Sequence, residues 1–193
     1  MLVARLEENM NLSAKKQRLK EIIAEKSLKT GNFKLASGAS STYLFDLKPT
    51  ILDPEGANLT ADLILDMLPD DITAIGGLEL GACPIVSAIC VRSYQLGREL
   101  KTFYVRKEKK DRGSNKLIEG PEITSQDKVL MVEDVTTKGG SVLTAINTVK
   151  QQGCVVNQVI SVVNRLEGAK ENLATENISL KSIFTRHDFN IPS

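Results

Sequence analysis

Histidine occurs once in the 193 residues and cysteine three times, and each scarcity removes a class of chemistry. Cys83, Cys90 and Cys154 fit no metal-ligand spacing, and an odd number does not make a secreted disulfide framework. They read as small buried hydrophobes of a reducing cytosol. The one histidine, His187, lies outside every motif and is assigned no catalytic role. Long apolar runs are missing too: no stretch approaches the roughly 20 residues that span a bilayer, and residues 1–11 hold no signal-like apolar segment. Nor is there charge of one sign in excess, since 25 Lys and Arg stand against 24 Asp and Glu for a net +1. That balance predicts no global attraction to nucleic acid or membrane. With no repeat, linker or low-complexity block, and 41% apolar residues, the expectation is one cytoplasmic domain over residues 1–193.

What the chain does have is concentrated in residues 129–141. Val129, Leu130, Met131 and Val132 are an unbroken apolar run, the mark of a strand buried on both faces of a parallel sheet. Glu133 and Asp134 are expected to end it, both carboxylates pointing the same way. Val135, Thr136, Thr137, Lys138, Gly139, Gly140 and Ser141 follow as a turn, and then Val142, Ala145, Ile146 and Val149 at helical spacing. In a strand–loop–helix of this kind backbone N–H groups converge at the helix's positive end and hold a phosphate without a charged side chain. The two acids suit sugar hydroxyls or a hydrated Mg²⁺ instead. Phosphate beside polyol means a sugar phosphate. The run is neither a Walker loop nor a dinucleotide fingerprint, because Lys138 precedes the glycines.

Other segments repeat the theme. Ser13 is expected to cap a helix carrying Leu19, Ile22 and Ile23, with Gly31 as its stop. Residues 33–38 and 42–47 read as a hairpin. Asp53 and Pro54 open a helix with Leu59, Leu63, Ile64, Met67 and Leu68 on its apolar face. A short strand at 73–76 runs into Gly76, Gly77 and Gly81, a possible diphosphate cradle before the helix that Pro84 opens. After the strand at 102–105, residues 106–116 hold six basic side chains against Glu108 and Asp111, a local excess of four in a chain whose total is +1. A strand at 155–163 ends at Arg165, and another is expected at 180–184. Alternating strands and helices give an α/β fold, a doubly wound, mostly parallel sheet flanked by helices, with a small N-terminal hood over residues 1–58 and a core over 59–193.

The Glu-Asp-Val-Thr-Thr-x-Gly-Gly-Ser run resembles the ribose-phosphate signature of type I phosphoribosyltransferases. Residues 33–58 resemble the hood of orotate phosphoribosyltransferases. Arg106, Lys107 and Lys110, with residues 117–120, resemble the catalytic loop of that family, and residues 163–169 its base-binding Asn-Arg-x-Glu-Gly. The resemblance implies a type I phosphoribosyltransferase fold and transfer of 5-phosphoribosyl from its 1-diphosphate to orotate, yielding orotidine 5′-monophosphate and diphosphate in pyrimidine synthesis. It implies catalytic roles for Arg106, Lys107, Lys110, Arg112 and Asp134. Substrate contacts fall to Glu133, Asp134, Val135, Thr136, Thr137, Lys138, Gly139, Gly140, Ser141, Arg165, Lys48, Gly77 and Gly81. Mg²⁺ is expected on the bound diphosphate and ribose with no direct protein ligand, and the partner is a second copy whose lid loop is shared across the interface. Two positions depart from the family: Ala36 replaces a hood lysine, for which Lys48 or Lys34 could substitute, and Arg112 replaces the usual histidine, so charge stabilisation without proton transfer is expected there. A purine phosphoribosyltransferase would lack reason for the basic lid and Arg165; a non-catalytic regulator binding phosphoribosyl diphosphate would leave the lid without a purpose.

Overall fold

The computed structural model describes residues 10–34, 40–108 and 116–191. Ala36, Lys110 and Arg112 lie outside them. Helix α1 (Leu12–Lys26) starts from Asn11, not Ser13, because the Asn11 side chain accepts the free Ala14 N–H at 2.9 Å. It buries Leu19, Ile22 and Ile23. Gly31 is not its stop. The chain leaves the helix at Ser27, whose buried hydroxyl meets that of Thr50 at 2.7 Å, and is then recruited into strand β1 (Leu28–Lys34) by pairing with β2 (Ser40–Phe45). The antiparallel register runs from Leu28 opposite Phe45 to Lys34 opposite Ser40, broken between Thr30 and Phe33 where Gly31 sits.

A single turn, α2 (Lys48–Ile51), leads to α3 (Pro54–Asp66). Asp53 caps α3 by accepting the N–H groups of Glu55 and Gly56, both at 3.1 Å, and Pro54 occupies the first position, where no N–H is needed. The hood–core division expected near residue 58 falls inside this helix. The chain continues through β3 (Ala74–Leu78), α4 (Ala82–Gln95), β4 (Lys101–Val105), β5 (Ile118–Glu119), β6 (Lys128–Thr136), α5 (Gly140–Lys150), β7 (Val155–Asn164), α6 (Ala169–Ala174) and β8 (Ser179–Thr185), then a 3-10 turn, Arg186–Phe189.

The six-stranded sheet has the order β5-β4-β3-β6-β7-β8, parallel throughout except where β5 meets β4. Along β6 the side chains alternate between two cores. Leu130 and Val132 pack with Ile64, Ile85 and Ile89 of α3 and α4. Val129 and Met131 pack with Val142, Ala145 and Ile146 of α5. Both faces are covered, which is why residues 129–132 of β6 are apolar without interruption. From β3 the chain moves outward to β4, and from β6, on the other side of β3, it moves the opposite way to β7 and β8. The crevice at the carboxyl ends of β3 and β6 is therefore the topological switch point, where open α/β sheets bind ligands.

Candidate active site

Strand β6 does not end at the acidic pair. It pairs with β7 as far as Thr136 opposite Asn164, and the Arg165 N–H donates to the Thr136 carbonyl at 2.9 Å. Glu133 and Asp134 are thus consecutive strand residues, and consecutive strand residues face opposite sides. The expectation that both point the same way is corrected by this extension. Glu133 lies on the α5 face, 9% exposed, with Oε2 buried and unpartnered. It lines a hollow of about 30 Å³ together with Val135, Thr136, Thr137, Gly139, Gly140 and Ser141. Burial, then the neighbouring Asp134 charge, pushes its carboxyl up to about 8, against the pull of Lys107. Asp134 points to the other face, where Lys48 tempers the rise that burial imposes on its carboxyl, and its Oδ1 accepts the Val135 N–H at 2.9 Å.

The loop after β6 offers its backbone more than its side chains. The Thr136 hydroxyl is buried and meets the Ser161 hydroxyl at 3.1 Å, which ties this threonine to β7. Gly139 takes φ +79° at the start of α5, a left-handed conformation that glycine adopts freely. The first N–H groups of α5 have no partner within the helix and lie beside the hollow. The loop is anchored from outside by Asn172 of α6, whose side-chain amide donates to the Lys138 carbonyl at 2.9 Å. Asn172 is a contributor that no local pattern announces.

The loop after β3 comes as close as atoms allow. A Cβ at Gly81 would stand 2.6 Å from the Asp134 carboxylate, and one at Gly77 would stand 2.3 Å from Ala82 Cβ and 2.6 Å from the Val132 carbonyl. Here the glycines permit the end of β3 and the turn after it to press against β6. Between them the Glu79–Leu80 peptide is cis. Glu79, absent from the sequence-derived site, donates its N–H to the Val105 carbonyl at 2.8 Å and accepts the Lys107 N–H on Oε1 at 2.8 Å. That contact brings the foot of the basic segment to the same crevice. Arg106 holds the Leu117 carbonyl through its own N–H at 2.8 Å.

Arg165 completes the opposite wall. It is 5% exposed, its guanidinium carbon lies 4.6 Å from the centre of the Tyr43 ring, and Nε donates to the Tyr43 hydroxyl at 3.3 Å. Its Nη2 pairs with Glu167 at 2.8 Å and donates to Ser41 at 3.4 Å. A residue at the end of β7 is thereby held under the hood hairpin. Lys48 pairs with Asp46 at 2.7 Å, and that hydrogen bond holds its ammonium pKa above the ordinary value. Lys34 lines a hood groove of about 450 Å³ with Asn32, Phe33, Ser40, Ser41 and Thr42, and Ser41 joins that groove to Arg165. A second cavity, about 560 Å³ and lined by Lys128, Val155, Gln158 and Lys181 among others, opens at the amino edge of the sheet, away from all of these residues.

No group of three or more His, Cys, Asp or Glu poised for a metal occurs among the described residues. The orphaned Glu133 oxygen does suit a hydroxyl or the water of a hydrated hard cation, so the donor set fits Mg²⁺ carried by a ligand. Cysteine departs from expectation at one position: Cys154 is buried and Cys83 half-buried, but Cys90 is exposed, because it falls on the outward face of α4. No helix among the described residues is long and apolar enough to cross a membrane.

No family model matches the chain. It is 41% identical over 184 residues to an orotate phosphoribosyltransferase of a Bradyrhizobium species, an alignment spanning 93% of this chain and 100% of the relative. Its fold matches the Mycobacterium tuberculosis orotate phosphoribosyltransferase crystallised with Fe(III) dicitrate, with a TM-score of 0.81 and 35% identity, over 92% of this chain and 99% of that one. The same mycobacterial enzyme in complex with 5-phospho-α-D-ribosyl 1-diphosphate superposes with a TM-score of 0.77 at 33% identity, over 92% and 99% of the two chains.

Proposed function

The chain belongs to the orotate phosphoribosyltransferases, enzymes that join orotate to the 5-phosphoribosyl group and release diphosphate, and on that premise we propose how its own residues divide the work. The 5′-phosphate rests on the backbone N–H groups of residues 137–141, at the positive end of α5. Glu133 accepts a ribose hydroxyl with its unpartnered oxygen, and Asp134, across the strand, faces the Gly77–Gly81 turn and Lys48. Gly77 and Gly81 let the diphosphate approach the backbone, and Lys107 and Arg106 oppose its charge at the end of β4. Arg165, stacked on Tyr43, presents its planar donor fork to the anionic pyrimidine. Val135, Thr136 and Lys138 shape the loop through backbone and anchorage.

As the bond from C1′ to the diphosphate oxygen breaks, positive charge grows on the sugar and negative charge on the leaving group. The residues present answer both: carboxylates beneath the ribose, cations beside the diphosphate. When bound with the substrate, Mg²⁺ adds charge neutralisation of the diphosphate. No side chain attacks covalently. Lys110 and Arg112, which lie outside the described residues, add positive charge for the leaving diphosphate; arginine at 112 stabilises charge and does not relay a proton. The enzyme works as a cytoplasmic homodimer in which Lys107 stays with its own crevice and the part of the basic loop carrying Lys110 and Arg112 serves the neighbouring site.

What carries this division is the meeting, at the switch point, of the Gly81 turn with the Asp134 face of β6 while Glu133 opens to the phosphate loop behind it. The test is the fall in orotate ultraviolet absorbance on mixing the protein with orotate and phosphoribosyl diphosphate. Loss of orotate that requires Mg²⁺ and disappears in Glu133→Ala and Arg165→Ala is expected. Unchanged turnover in either variant overturns that residue's role, and full turnover without metal overturns the Mg²⁺ assignment.

A further inference from the structure

Three backbone groups at the end of β4, the Val105 carbonyl and the N–H groups of Arg106 and Lys107, are hydrogen-bonded, and they are not held alike. On the outer side the Arg106 N–H reaches the Leu117 carbonyl at 2.8 Å, an ordinary backbone contact. On the inner side one residue makes both contacts. Glu79, first residue past β3, extends the β3–β4 ladder one step beyond the last pair, Leu78 opposite Val105, by donating its N–H to the Val105 carbonyl at 2.8 Å. Its side chain then passes Arg106 and accepts the Lys107 N–H at 2.8 Å. The same residue grips the chain at 105 and at 107, and it belongs to the turn assigned above to the diphosphate.

We infer that Glu79 is a positioning residue: its carboxylate fixes the Lys107 backbone against the diphosphate turn so that the Lys107 ammonium is presented to the diphosphate. This rests on the diphosphate role proposed for Lys107. The atom that Glu79 takes is decisive. A carboxylate beside lysine ordinarily pairs with the ammonium and would occupy the charge the substrate needs. Here it engages the backbone N–H, and no ion pair of Lys107 occurs among the described residues. Lys107 draws the pKa of the Glu133 carboxyl downward electrostatically. A bare carboxylate in a cradle for a polyanion costs binding by repulsion, so its presence calls for a return, and a hydrogen bond with an ionised acceptor is roughly twice as strong as a neutral one. Geometry also sets the length of the side chain: Glu79 must reach two residues along a neighbouring strand.

The experiment compares Glu79→Ala, Glu79→Gln and Lys107→Ala with the parent enzyme in steady-state kinetics for both substrates, and follows exchange of the Lys107 amide proton by NMR. Glu79→Ala is expected to raise KM for phosphoribosyl diphosphate by about tenfold with KM for orotate unchanged, and to speed Lys107 amide exchange. Glu79→Gln keeps an acceptor oxygen at the same reach, so it is expected to stay within about threefold of the parent. Glutamine as damaging as alanine would mean that the charge, not the hydrogen bond, matters, and overturns the inference. So would equal loss for both substrates with a lowered unfolding temperature, the signature of a general structural role. If Lys107→Ala is impaired and Glu79→Ala is not, this inference fails and the site reading stands. If Lys107→Ala is indistinguishable from the parent, the role of Lys107 itself fails, and the inference falls with it.

Discussion

Glu133 carries an acid where the fold least favours a charge. Its carboxyl is buried beneath the loop at the head of α5, with a pKa raised from 4.5 to about 8, chiefly because the charged form loses its water. The folded, ligand-free chain therefore holds a proton that the unfolded chain gives up near pH 4.5. Its contribution to stability is fully present below that value and is lost as pH rises through 8. Glu133→Gln removes the dependence. The variant is expected to match the parent's stability near pH 4 and to exceed it at pH 8.5 by on the order of 2–4 kcal/mol, seen as a higher unfolding temperature, while transfer to orotate falls at least about tenfold. Thermal unfolding across that range checks the sign, and a difference that shrinks with rising pH refutes it. Arg165 makes the opposite case, a charge the fold provides for. Lysine in its place keeps the charge but loses the fork and the stacking on Tyr43. Arg165→Lys is expected to raise KM for orotate by about tenfold or more, with KM for phosphoribosyl diphosphate near the parent value; equal shifts in both would place Arg165 elsewhere in the mechanism.

Among the elements, the turn from β3 to α4 has no slack where it meets β6. A methyl at Gly81 meets the Asp134 carboxylate at 2.6 Å, and that carboxylate is already engaged by the Val135 N–H. Gly81→Ala displaces Asp134 rather than the strand, so kcat/KM is expected to drop by about a hundredfold with the circular dichroism of the parent retained. Loss of the fold instead would show that the turn is structural. The glycine is visible in the sequence; its reason is not, because Asp134 is 53 residues away in the chain and only the sheet order brings the two together. The same division runs through the rest of the molecule. The apolar run of β6, the Asp53–Pro54 helix start and the Gly139–Gly140 turn are local patterns and are legible as such. The Asn11 cap escapes because Ser13, two residues on, is an equally good capping residue by type. Gly31 misleads because glycine serves a strand irregularity as readily as a helix end. The carboxylate pair faces two ways because β7 extends its pairing to Thr136, and Tyr43 finds Arg165 across 122 positions. These are long-range facts that no short window contains.

At the scale of the whole molecule, the basic segment springs from the outer part of the sheet. It leaves β4 after Val105 and returns at β5, the edge strand, whereas Arg165 and the hood hairpin stand on the far side of the switch point. A loop rooted at an edge is well placed to serve the crevice of a neighbouring copy. Two inactive variants distinguish that arrangement from a loop kept within one chain: Lys110→Ala in the basic segment and Asp134→Asn in the floor of the crevice. If the loop stays with its own subunit, every site in a mixed dimer carries one lesion or the other, and mixing restores nothing. If it crosses a two-fold interface, a mixed dimer gathers both lesions into one site and leaves the other whole. Random exchange makes half of the dimers mixed, each with one intact site, so mixing is expected to restore about one quarter of the parent activity. Failure to recover any activity after verified subunit exchange, or full activity from a monomer at high dilution, would return the loop to its own chain.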